Sequence, residues 1–222
     1  MAEEDHRWML VTGMCSDFKI ICEDEEMLVH KAVLAMHSEY FRALFNNDFE
    51  ENKNGFVDFQ DIDPGLMLDL LDYFYKGTTE WDVPKVDTAL HIRLWILANR
   101  LEARTVMLTI EKRMMAELKT FSGKIRVAHA DILGLVFTNL ACAKSALGYI
   151  IGEAAYVLLL DPKRAGSATE VNDACSRHHN LSNMMLFWSS RYAKFTDHDG
   201  LALLSAKVGN VRDDLIVEKF TK

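Results

Sequence analysis

The chain has 222 residues, half of them hydrophobic and 26% charged, enough to bury one large core or two small ones. Its formal net charge of −8 is concentrated at the front: residues 1–120 hold 13 Lys+Arg against 23 Asp+Glu, and residues 121–222 hold 12 against 10. An acidic front repels phosphate, and there is no basic run and no interleaving of aromatic and basic residues, which argues against nucleic-acid binding and for a basic protein partner.

The first element is residues 16–22, where Phe18, Ile20 and Cys22 alternate with Asp17, Lys19 and Ile21 at a period of two, as in a strand with one buried face. The acidic run 23–26 predicts a turn and residues 27–30 a second strand, so the two form a hairpin. Residues 31–36 suit a short helix, and Ser38 is placed to cap another whose Tyr40, Phe41, Leu44 and Phe45 share a face. Residues 46–55 are too polar for a core except at Phe49, an isolated aromatic in an acidic loop. Residues 56–59 read as a third strand. Asp63-Pro64 then opens a helix with Leu66, Leu70, Leu71 and Phe74 on one face and Lys76-Gly77 at its end.

After a loop at 81–84, residues 86–101 carry Leu90, Leu94, Leu97 and Leu101 at helical spacing, and residues 103–118 continue with Val106, Met107, Ile110 and Met114. No strand pattern follows. Residues 124–141 and 145–160 predict a helical pair, and 161–167 is the clearest break in the second half. Ser182 is expected to cap a helix bearing Met185, Trp188, Tyr192 and Phe195, and residues 211–220 predict one more. The pattern is an α+β unit followed by an all-helical region.

The chemistry-bearing residues point away from catalysis and cofactors. Cys15, Cys22, Cys142 and Cys175 have no paired CxxC spacing and sit among apolar neighbours, so they are expected as buried free thiols rather than as a zinc site. The acidic start lacks the basic head and apolar centre of a secretory signal, which predicts a reducing intracellular compartment, nucleus or cytoplasm. The apolar run 146–160 is interrupted by Glu153 and is shorter than a membrane span requires; its Gly148 and Gly152 are expected to serve close helix packing. There is no phosphate-cradling glycine loop, no HExxH and no nucleophile elbow. No catalytic residue, metal or cofactor is therefore expected.

One ordered set of residues identifies a family resemblance: Gly13, Ser16-Asp17, His30-Lys31-x-Val33-Leu34, Ser38-x-Tyr40-Phe41, Leu44-Phe45, Asp61-x-Asp63, Tyr73-Phe74-Tyr75-x-Gly77 and Leu97-Ala98-Asn99. In order and spacing it resembles the BTB/POZ domain, especially the form found in many fungal proteins. The resemblance implies a BTB/POZ fold, a helical cluster flanked by a small sheet, over residues 13–118, with a helical C-terminal region over 119–222.

It also implies a non-enzymatic protein-interaction module, either an adaptor for a cullin-based ubiquitin ligase or a self-associating scaffold or transcription-associated protein with no ligase link. Asp17 and Lys31 correspond to a charged pair in a pocket beside the family's dimer axis, or else are two solvated surface charges. His30 corresponds to a hydrogen-bonded structural position. The family's ligase adaptors meet the cullin scaffold through a hydrophobic-x-Glu signal before the third strand. Here Phe49 and Glu51 stand at that place, Phe49 either filling a partner pocket or tucked under a solvated loop. The short segment before Ser16 leaves room for one short helix, whose Trp8, Met9, Leu10 and Val11 either pack across a homodimer axis or fold onto the monomer.

Overall fold

The period-two pattern places Phe18, Ile20 and Cys22 on one buried face of a strand, and the strand that results is the centre of the sheet. In the computed structural model, which describes residues 5–76, 87–118, 129–160 and 165–193, β1 (Phe18–Cys22) pairs antiparallel with β2 (Glu25–Val29) and parallel with β3 (Phe56–Phe59). The order is β2-β1-β3. The hairpin is tighter than the acidic run suggests. Only Glu23 and Asp24 make the turn, with Glu23 at φ 51°, while Glu25 and Glu26 enter β2 as its solvent-facing start, Lys19 pairing with Glu26 at 2.8 Å.

The chain divides into two compact units, residues 1–113 and 114–222. In the first, α1 (Arg7–Thr12) packs on α5 (Pro64–Lys76), and α2 (Lys31–His37), α3 (Glu39–Asn46) and α4 (Glu50–Asn54) link β2 to β3. The expected cap forms: Ser38 Oγ accepts from the Phe41 N–H and donates to the Leu101 carbonyl, joining α3 to the end of α6 (Thr88–Arg100). Asp63 Oδ1 accepts from the Leu66 N–H at 2.8 Å and Pro64 is the first residue of α5. That helix buries Leu70, Leu71 and Phe74 of the expected stripe together with Met67, Tyr73 and Tyr75, while Leu66 is only half-buried. Asp87 caps α6, and α7 (Arg104–Leu118) buries Val106 and Ile110. The 81–84 loop and the Gly77 helix end lie outside the described residues.

In the second unit the segment expected as one helix from 124 is broken at Asn139. Its described part is α8 (Ala130–Thr138) and α9 (Leu140–Ala143), because Asn139 Oδ1 turns back to cap Cys142 N–H at 2.9 Å. Ser145 likewise caps α10 (Ala146–Leu159). The two glycines of α10 are close-packing sites as expected: a Cβ on Gly148 would overlap the Cys142 and Ala143 carbonyls, and one on Gly152 would overlap Met184. After α11 (Ala165–Arg177), α12 (His179–Ala193) starts three residues before Ser182. Ser182 Oγ therefore donates to the Cys175 carbonyl instead of capping, and the buried stripe is Leu181, Met184 and Trp188 rather than one led by Met185. Phe195 and the 211–220 helix lie outside the described residues.

All four cysteines are free, but only Cys22 and Cys142 are buried; Cys15 is exposed on the turn before β1 and Cys175 is half-buried. Among the described residues no helix is long and apolar enough to cross a membrane.

Two substitutions test this packing. Ser38→Ala, which removes a cap and a buried hydroxyl bond, should lower unfolding stability by about 1–2 kcal/mol in urea titration. Gly148→Ala, whose obstacle is backbone that cannot swing aside, should cost about 3 kcal/mol in the second unit, read from its thermal transition.

Candidate protein-interaction site

The start of α2 brings Asp17 and Lys31 together, in a different arrangement from a charge pair. Asp17 is exposed, and its Oδ1 accepts from the backbone N–H of Lys31 at 2.8 Å, satisfying a first-turn donor of α2 that the helix itself leaves open. The Lys31 ammonium points elsewhere. It lies 5.4 Å from the ring centroids of both Phe18 and Phe45, which meet edge to face at 4.9 Å, and donates to Asn52 Oδ1 at 2.8 Å. A half-buried ammonium between two rings and an amide oxygen gains cation–π attraction of about 0.5–2 kcal/mol while keeping a polar partner. The expected Asp17–Lys31 side-chain pair is thus replaced by a carboxylate on the backbone and a cation on aromatic faces.

Asn52 belongs to α4, a helix where a loop was expected. Glu50 and Glu51 occupy its first turn, favourable beside the open N–H groups there, and Gly55 ends it at φ 78°, a left-handed conformation that costs glycine little. The Gly55 N–H returns to the Glu51 carbonyl at 3.0 Å, and the Gly55 carbonyl accepts from Lys19 of β1 at 3.0 Å. Phe49 is the N-cap residue and is 49% exposed, so it stands out from the surface instead of tucking beneath it. Glu51 is exposed. It lies within electrostatic reach of Tyr40, whose phenol is pushed above its ordinary value first by burial and then by the Glu51 carboxylate. The Tyr40 ring packs against Phe41 and Phe59, and Arg100 lies over Phe59 while pairing with Asp61, whose carboxyl it holds below the usual range. Phe49 and Glu51 thus rise from a short helix that lies beside the elements carrying the Tyr40, Phe41 and Phe59 rings.

His30 is a structural node, as the sequence led one to expect. It is 6% exposed; Nε2 faces the Met14 carbonyl at 2.8 Å and Nδ1 the Tyr75 hydroxyl at 2.8 Å. A carbonyl can only accept, so in the neutral ring Nε2 carries the proton and Nδ1 accepts from the phenol. The phenol oxygen in turn accepts from the His30 N–H at 2.9 Å, and the Tyr75 carbonyl accepts from His6 N–H at 2.9 Å. Both ends of α1 are therefore tied to this node. On α1 Met9 and Leu10 are half-buried, while Trp8 is 53% and Val11 84% exposed. Of the four expected residues, two fold onto the unit and two face outward.

A three-stranded sheet wrapped by helices, with an aromatic and a carboxylate displayed on a capped element, defines an α+β protein-interaction module. The comparisons with known proteins give it a family. Residues 9–116 match the BTB/POZ domain model, and this part of the chain is a BTB/POZ domain, with helices in the region that follows. Kelch-like protein 40 of Xenopus laevis is 41% identical over 58 residues, 26% of this chain and 9% of its own length. Human Kelch-like protein 3 is 38% identical over 64 residues, 29% of this chain and 11% of its own length. The chain thus spans about a tenth of the length of these relatives. Among solved structures, the BTB domain of zebrafish PATZ1 aligns at 23% identity and a TM-score of 0.41, over 50% of this chain and 86% of that one.

Sequence reasoning missed Asn52, whose side chain joins α2, α3 and α4. An asparagine in a polar run carries no signal beyond its capacity to donate and accept at once.

The Tyr75 phenol sets a pH dependence. Burial, partly offset by the bond from His30 N–H, pushes it from 10.0 to about 12. Between those values the unfolded chain has lost a proton that the folded chain keeps, so its contribution is complete below pH 10 and falls as pH rises towards 12. The buried Cys22 thiol, pushed up to about 11, titrates in the same range. Wild type minus Tyr75→Phe should therefore isolate the phenol: the variant should be about 1–3 kcal/mol less stable at neutral pH, with a shallower loss above pH 10 in denaturant titrations.

Proposed function

We propose that the BTB/POZ domain is an adaptor surface for a cullin-type scaffold of a ubiquitin ligase, with Phe49 as the apolar anchor and Glu51 as the acceptor on its rim. The observation that carries this is the exposure of Phe49 at the N-terminus of α4, where the family's hydrophobic-x-Glu signal is expected. An aromatic that stands out from a helix start, rather than folding under it, has the form of an interface hot spot: a rigid apolar group with a charged neighbour. The acidic front of the chain suits a partner with a basic face. The similarity to Kelch-like proteins supports an interaction role and covers only a small part of those proteins. With purified cullin N-terminal fragment, the Phe49→Ala/Glu51→Ala double variant should bind at least about 30-fold more weakly by calorimetry. Unchanged affinity would remove both residues from the contact.

Self-association is the second reading, favoured by the outward Trp8 and Val11 of α1, an apolar pair on a helix tied at both ends to the His30–Tyr75 node. Two copies would bury these side chains across a twofold axis. Sedimentation should then show a dimer that Trp8→Glu/Val11→Glu converts to a monomer, with circular dichroism unchanged; a monomer in the parent chain would rule this surface out.

A further inference from the structure

We infer that Asn52, anchored by Lys31, is a positioning residue that holds the Phe49–Glu51 segment in its binding geometry without touching the partner. This rests on the reading of that segment as the cullin contact. The Asn52 amide uses both of its ends. Its oxygen accepts from Lys31 Nζ at 2.8 Å, and its nitrogen donates to the Phe45 carbonyl at 3.1 Å and the Asn47 carbonyl at 3.2 Å. Those carbonyls stand at the end of α3, where the helix leaves its last acceptors open. One side chain on α4 therefore clamps the start of the short link that ends in Phe49.

The clamp is anchored through Lys31. Its backbone N–H is held by Asp17, and its ammonium is seated over Phe18 of β1 and Phe45 of α3. The chain of contacts runs from the sheet and the start of α2, through Nζ and the Asn52 amide, to the carbonyls preceding Phe49. Only a side chain that accepts on one side and donates on the other can complete it. Aspartate keeps the Lys31 contact and loses both donations; alanine loses everything. A binding segment held in its bound geometry before the partner arrives avoids the ordering cost of association, so residues buried behind it set affinity.

The test uses the full chain with Asn52→Ala, Asn52→Asp, Lys31→Met and Lys31→Arg, and has one readout that needs no partner. Amide hydrogen exchange at Lys53 and Gly55, which donate to the Phe49 and Glu51 carbonyls, should accelerate about tenfold or more in Asn52→Ala, Asn52→Asp and Lys31→Met, and stay near wild type in Lys31→Arg. The β1–β2 hairpin should be unaffected. Affinity for the cullin N-terminal fragment should fall about 5–10-fold in the same three variants and be retained in Lys31→Arg. Unchanged exchange at Lys53 and Gly55, or equal acceleration in the hairpin, would overturn the positioning role. Local acceleration without loss of affinity, where Phe49→Ala/Glu51→Ala does weaken binding, would overturn it too. If the double variant also binds normally while exchange accelerates, the cullin reading fails and the clamp survives as a purely conformational one.

Discussion

The first unit depends on one buried phenol. Tyr75 sits at the end of α5, and its hydroxyl is at once the donor to His30 Nδ1 and the acceptor of the His30 N–H, while its own carbonyl receives the chain at His6. The second nitrogen of the same imidazole donates to the Met14 carbonyl. Three segments distant in sequence, the ends of α1, the β2–α2 junction and the end of α5, are thereby fixed to each other by directional bonds around two buried side chains. Buried polar groups of this kind stabilise only when all are satisfied, and here the donors and acceptors match in number and direction.

From that node the two candidate contact regions diverge. Towards α1 it presents Trp8 and Val11; towards α2 it fixes the residue next to Lys31, from which the ammonium reaches the aromatic pair and Asn52. The tolerance of the two regions differs accordingly. Trp8 and Val11 can change without touching the core. At Lys31 the cation itself is needed, because the ammonium lies over the Phe18 and Phe45 rings and bonds Asn52.

How much of this was legible in the sequence follows from what kind of force set each feature. Strand β1 and the Ser38 and Asp63 caps were readable because each arises from a local pattern: alternation, a hydroxyl or carboxylate at a helix start, a proline after it; the sheet-flanked helical architecture came from the family resemblance. The third-strand partner was not, since a parallel pairing between Ile20 and Val57 has no local signature. The α4 helix was hidden because its five residues are polar throughout and its register is fixed from outside, by Lys31 on Asn52 and by Gly55 on Lys19. Asp17 and Lys31 were rightly placed near each other, but which atoms met was decided by geometry: the carboxylate reached the nearer helix-start N–H, leaving the ammonium to the rings. In α12 the stripe keeps Trp188 but takes Met184 in place of Met185, a choice of phase that the sequence pattern alone does not make.

The order of the sheet has a kinetic consequence. The β1–β2 hairpin closes over two residues and can form on the microsecond scale of local structure, whereas β3 joins β1 only after the whole of 23–55 has been brought round. The Phe49 segment lies within that long closure and directly before β3. Its ordering is therefore a late event in folding and an early loss in any fluctuation that peels β3 from the sheet. A brief opening of that edge strand would free Gly55 from Lys19 and leave the Phe49 segment on its Asn52 bonds alone, while the hairpin and the helices behind it stay intact.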